Sequence, residues 1–80
     1  MTHSILRLPD IKRSTGLSRT TIYLRITQGA FTKPVNLGGR AVGWPAHEVE
    51  ALNTARIAGK SDAEVRELVT TLEAARKAVK

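Results

Sequence analysis

The chain has 80 residues, no cysteine, three aromatic residues and a formal net charge of +6. A chain this short buries enough surface for one small core and too little for a large catalytic cleft, and the lack of cysteine excludes disulfide staples and thiolate metal sites. No apolar run of about 18 residues exists, and MTHSILRLPD lacks the basic flank and apolar stretch of a signal peptide, so a cytoplasmic protein without membrane contact is expected.

The charge is segregated. Arg7, Lys12, Arg13, Arg19, Arg25, Lys33 and Arg40 face only Asp10 in residues 1–45, whereas acids and bases balance in residues 46–80. Such separation points to a polyanionic partner, a solvated basic face being the plainer alternative.

In chain order, Ile5-Leu6-Arg7-Leu8 reads as a short apolar arm. Asp10 follows as an N-cap for a helix of barely two turns starting at Ile11, and Gly16 ends it. Ser18 caps a second helix, with Leu17 and Ile22 placed as a hydrophobic staple, and Gly29 stops it after Gln28. Helix, glycine-containing turn, helix is a helix-turn-helix pattern. Val35-Asn36-Leu37 and Ala41-Val42-Gly43-Trp44 then alternate around Gly38-Gly39-Arg40, where paired glycines supply the positive φ of a hairpin turn. A hairpin directly after a helix-turn-helix is a wing. Pro45 permits a third helix through Val49, Leu52 and Arg56 to Gly59.

Ser61-Asp62-Ala63-Glu64 is a capping box opening a last helix. Its apolar positions Val65, Leu68, Leu72, Ala75 and Val79 follow heptad spacing. The seam suits two arrangements, pairing of two chains in a homodimer or folding back on the domain. Truncation after Lys60 is expected to leave a folded domain and, if the seam pairs two chains, to reduce cooperative occupation of adjacent sites.

Catalysis finds little to use. His3 and His47 lie far apart, His47-Glu48-Val49-Glu50 lacks the second histidine of the zinc-protease signature, and Gly38-Gly39 lack the lysine of a phosphate-binding loop. No catalytic residue, metal site or cofactor is expected.

DNA binding finds much more, because a helix in the major groove reads base edges from its N-terminal turns. With Ile22 and Ile26 inward, steps of about 100° put Thr20, Leu24 and Thr27 outward and Thr21 and Tyr23 on the flanks. Arg19, just after the Ser18 cap, suits a bidentate contact to guanine, and Thr20 and Thr21 a phosphate or a thymine methyl. Tyr23 suits a phosphate, a base or burial against Trp44. Arg25, nearer the core side, suits a phosphate clamp or an internal ion pair. Arg40 at the hairpin tip and Lys33 leading into it suit the DNA backbone or minor groove. Leu24 either meets a thymine methyl or is covered by the last helix.

Gly16-Leu17-Ser18-Arg19 with Ile22-Tyr23, then Gly29, Phe31, Pro34-Val35, Leu37-Gly38, Val42-Gly43-Trp44 and Glu48-Val49, form an ordered set that resembles the AlpA family of phage-associated transcriptional regulators. That family is related to excisionases, with a winged-helix architecture distantly like that of MerR-type proteins. The resemblance covers residues 6–58 and implies a small DNA-binding protein of bacteria, prophages or mobile elements. It supports Ser18, Arg19, Thr20 and Tyr23 in the recognition helix and Arg40 in the wing. Thr32 stands where the family often has proline, and Leu52 where it often has tryptophan.

The fold class expected is mostly α with a small β-hairpin: a winged helix-turn-helix over residues 1–60 and an amphipathic helix over residues 61–80. The function expected is a sequence-specific, nucleoid-associated regulator of transcription whose partners are double-stranded DNA, a second copy, and an integrase or RNA polymerase. One alternative is an excisionase-like recombination directionality factor that bends attachment-site DNA. Another is a protein-interaction adaptor.

Overall fold

The computed structural model describes residues 4–78. They form β1 (Ile5–Leu6), α1 (Leu8–Thr15), α2 (Arg19–Thr27), β2 (Val35–Gly38), β3 (Ala41–Pro45), α3 (Ala46–Ile57), α4 (Asp62–Ala75) and a 3-10 turn at Arg76–Ala78. The architecture is mostly α with a small antiparallel sheet in the order β1-β3-β2. It matches the class expected from sequence.

The amino-terminal arm is divided between two elements. Ile5 and Leu6 pair with Pro45 and Trp44, making the wing three-stranded, and the Ala46 N–H donates to the Ser4 carbonyl at 2.8 Å. α1 then starts at Leu8, three residues earlier than expected. Pro9 is accommodated in the first turn, where a helix leaves its N–H groups without partners. Asp10 is therefore not the N-cap. It is the third helical residue, accepting the Arg7 N–H at 3.4 Å and pairing with Arg13.

Between α1 and α2 the chain turns as its residues dictate. Gly16 takes a left-handed φ of 72° and closes α1 on the Lys12 carbonyl at 2.9 Å. The Thr15 hydroxyl donates to the Ile11 carbonyl at 2.7 Å and accepts the Leu17 N–H at 3.2 Å. Ser18 caps α2 by accepting the Thr21 N–H at 3.2 Å. Leu17 and Ile22 then enter the same core.

Trp44 lies fully buried within that core, with Ile11, Ile22, Phe31, Val49 and Leu52. Its indole N–H donates to the Thr32 carbonyl at 2.9 Å, which fixes the segment leading into the hairpin. Next to it, Gly43 is required by close approach: a Cβ there would stand 2.4 Å from the Ile5 Cγ2. β1 lies flat on β3 only because that side chain is missing.

α4 belongs to the same core. Val65 is fully buried, Val69 is nearly so, and Leu68 and Leu72 pack against the cluster, so no break in packing falls at residue 60. The apolar stripe of α4 is thus occupied within the chain, the fold-back arrangement of the two that its spacing allows. Val69 was missed because it lies off the heptad seam. Ala75 is exposed, and Val79 lies outside the described residues. The expected capping box forms: Ser61 Oγ accepts the Glu64 N–H at 3.2 Å, and Glu64 accepts the Ser61 N–H at 3.0 Å. The Ser61 N–H and hydroxyl, with Lys60 nearby, hold the Glu64 carboxyl below the usual carboxylate range.

One buried ion pair locks the fold. Glu48, in the first turn of α3, is wholly inaccessible, and Arg76 forks onto it with Nε to Oε2 at 2.8 Å and Nη2 to Oε1 at 2.6 Å. Bidentate geometry of this kind offsets part of the cost of taking both charges from water. The Glu48 hydrogen bonds also push the Arg76 guanidinium above its ordinary pKa.

Candidate nucleic-acid interface

α2 presents its outward face as the 3.6-residue period requires. Ile22 is fully buried and Ile26 packs on the core, while Thr20, Tyr23, Leu24 and Thr27 are exposed. No acidic residue lies between Arg19 and Gln28. The exposed face is therefore compatible with a polyanion along its whole length.

At the leading end, Arg19 and Tyr23 come together. The Arg19 Cζ sits 5.8 Å from the Tyr23 ring centroid, and that ring stands edge-on to Trp44 at 6.4 Å. The cation is thus propped on an aromatic step rooted in the core, a contact worth about 0.5–1 kcal/mol at an exposed site. Of the roles open to Tyr23, burial against Trp44 is half realised: one edge rests on the indole, and 36% of the residue remains exposed.

The threonines divide. The Thr20 side chain is exposed. The Thr21 Oγ1 accepts the Ser18 hydroxyl at 3.0 Å, so both groups serve the cap. The Thr27 hydroxyl donates to the Tyr23 carbonyl at 3.1 Å, leaving its methyl as the group to offer outward.

Arg25 stands apart from this face. It is half-buried and lines a cavity of about 220 Å³ with Leu17, Phe31, Leu52, Asn53 and Arg56. No ion pair forms at Arg25 among the described residues, so the internal pair considered from sequence is not found there.

The wing is as expected at its tip. β2 and β3 pair from Val35↔Gly43 to Gly38↔Ala41, with a bulge between Asn36 and Gly38. The Asn36 Oδ1 accepts the Gly38 N–H at 2.7 Å. Gly38 and Gly39 adopt φ of 114° and 55°, which turns the chain so that Arg40 is exposed beside them. Lys33 is also exposed, and its backbone is clamped by α4 and the turn after it: Glu73 accepts its N–H at 2.8 Å, and Arg76 Nη2 donates to its carbonyl at 2.7 Å. Arg66 Nε donates to the Gln28 carbonyl at 3.2 Å, holding the far end of α2. These three residues of α4 and the turn after it escaped sequence reasoning, since partners about 40 positions away leave no local signal.

Two helices joined across a left-handed glycine, the second exposing a basic, acid-free face, and a hairpin behind them define a winged helix-turn-helix. The model for the family described as "Prophage CP4-57 regulatory protein (AlpA)" matches residues 4–57, and the chain belongs to that family of phage regulatory proteins. It is 47% identical over 55 residues to an uncharacterized protein, ORF88, of Enterobacteria phage P4; the match covers 69% of this chain and 62% of that protein's length. No solved structure matches the chain. No described helix is long and apolar enough to cross a membrane.

Proposed function

We propose that the chain is a sequence-specific binder of double-stranded DNA that regulates transcription at a phage, prophage or mobile-element locus. α2 enters the major groove with Arg19 reading a guanine edge, and the β2–β3 wing lays Arg40 along the backbone or in the minor groove. Lys33, Lys12 and Arg7 contribute backbone contacts that set affinity rather than sequence. The observation that carries the reading is the Arg19–Tyr23–Trp44 stack. It supports an arginine pre-positioned at the N-terminal end of a helix, where base contacts are made, and pre-organisation lowers the entropy lost on binding.

The test is selection of bound duplexes from a random pool by the full chain, followed by a reporter driven by the enriched site. Enrichment of one motif, with reporter output changed by the protein, is the expected result. A pool that stays random at low salt would overturn DNA binding. An enriched site that the protein bends strongly without altering the reporter would overturn transcriptional control in favour of an architectural role in recombination.

A further inference from the structure

Leu24 has no place in the core and none in the contacts so far assigned. It lies two positions from both Ile22 and Ile26, about 200° around the helix from each, and 54% of it is exposed. No other described leucine is as exposed. The last helix, which could have covered it, passes it by: Arg66 reaches the Gln28 carbonyl at 3.2 Å, while Val65, Leu68, Val69 and Leu72 are turned into the core. Its neighbours one turn away are Thr20 and Thr27. The Thr27 hydroxyl is occupied by the Tyr23 carbonyl, so its methyl flanks Leu24 on the outward side. An apolar spot thus lies in the middle of a helix face that is otherwise polar and free of acids.

Resting on the DNA-binding reading above, we propose that Leu24, flanked by the Thr27 methyl, is a specificity-determining residue that recognises the 5-methyl group of a thymine. In the major groove that methyl is the apolar feature that marks a T·A pair, and apolar side chains read it. The position can be estimated. Leu24 lies five residues after Arg19, about 7.5 Å along the helix axis at 1.5 Å per residue, which matches about two base-pair steps at 3.4 Å each. The site therefore carries a thymine about two base pairs from the guanine that Arg19 reads.

The experiment uses the full chain and a duplex enriched by selection, with each thymine replaced singly by deoxyuridine, which removes only the methyl. Wild-type protein is expected to lose about four-fold in affinity at one thymine, the weight of one buried methyl group, and to be indifferent at the others. Leu24→Ala is expected to bind the thymine and uracil duplexes equally, while Leu24→Met, which keeps the apolar contact, retains the discrimination. Leu24 is exposed, so both variants should keep the fold. Specific binding by the wild type with no thymine sensitive to the methyl, or full discrimination surviving in Leu24→Ala, would overturn the assignment and leave DNA binding standing. Failure to enrich any duplex would overturn both.

Discussion

Arg19 and Thr32 show how much single side chains can weigh in a domain this small. Arg19→Ala should remove a base contact without disturbing the core, because the Arg19 side chain is exposed and rests on Tyr23 only through its cation. Specific binding should fall by about 1–3 kcal/mol, and non-specific binding by less. Titration of cognate and random duplexes at one salt concentration measures the difference, and equal losses on both would make Arg19 a phosphate contact only. Thr32 is a defect of the opposite kind. It is wholly buried, and its Oγ1 finds no hydrogen-bond partner among the described residues. An orphaned hydroxyl costs about 1–3 kcal/mol, whereas an apolar group of the same shape does not. Thr32→Val should therefore raise stability by about 1 kcal/mol, or roughly 4–8 °C in Tm for a domain of this length. A lower melting temperature in that variant would show that the hydroxyl has a partner in solution.

Local signals made most elements legible. Ser18 and Ser61 cap helices, Gly16 and Gly29 end them with φ of 72° and 75°, and Gly38-Gly39 turns the hairpin, all from rules that reach only four residues along the chain. What escaped was non-local. β1 is two residues long and exists only because β3 is there to pair with it. The direction of α4 could not be read, because an apolar stripe serves a partner chain and the chain's own core equally well. The outward face of α2 was legible by angle alone, including the awkward placement of Leu24, yet nothing in the sequence joined Arg76 to Glu48. That pair gives the element-scale prediction. Removing Arg76 leaves a carboxylate buried without a counter-charge, and such losses cost about 3–5 kcal/mol. With the Arg76 side chain 25% exposed, the low end of that range is expected for Arg76→Ala, about 3 kcal/mol in urea unfolding. The double change Glu48→Leu with Arg76→Leu should recover part of it. A single variant within about 0.5 kcal/mol of wild type would show the pair to be idle. Truncation after Lys60 would cost more, since it also removes Val65 and Val69 from the core.

Charge and size act at the scale of the whole molecule. The net charge of +6 resides in the part that carries α2 and the wing, and of the seven bases there Arg13 is paired with Asp10. With Arg19 given to a guanine edge in the proposed reading, five remain for phosphates, or four if half-buried Arg25 is left out. Counterion release then predicts that log K on duplex DNA falls by about 3.6 to 4.5 for each decade of salt. A flat salt profile would favour an adaptor that docks on protein. The molecule measures 34 × 28 × 21 Å, so one copy extends over about one turn of B-DNA along its longest dimension. The C-terminal region has a place in that geometry although none of its residues is assigned to DNA. Between Gln28 and Lys33 the chain passes from α2 towards the hairpin, and α4 with the turn after it is bolted to both ends of this span, through Arg66 at one and through Glu73 and Arg76 at the other. α4 is in effect a gauge block: it calibrates how far apart, and at what angle, α2 and the β2–β3 hairpin are held. The family match ends at residue 57, before the gauge begins. On the proposed DNA-binding reading, two proteins with the same α2 and wing and different tails would be tuned to different groove spacings.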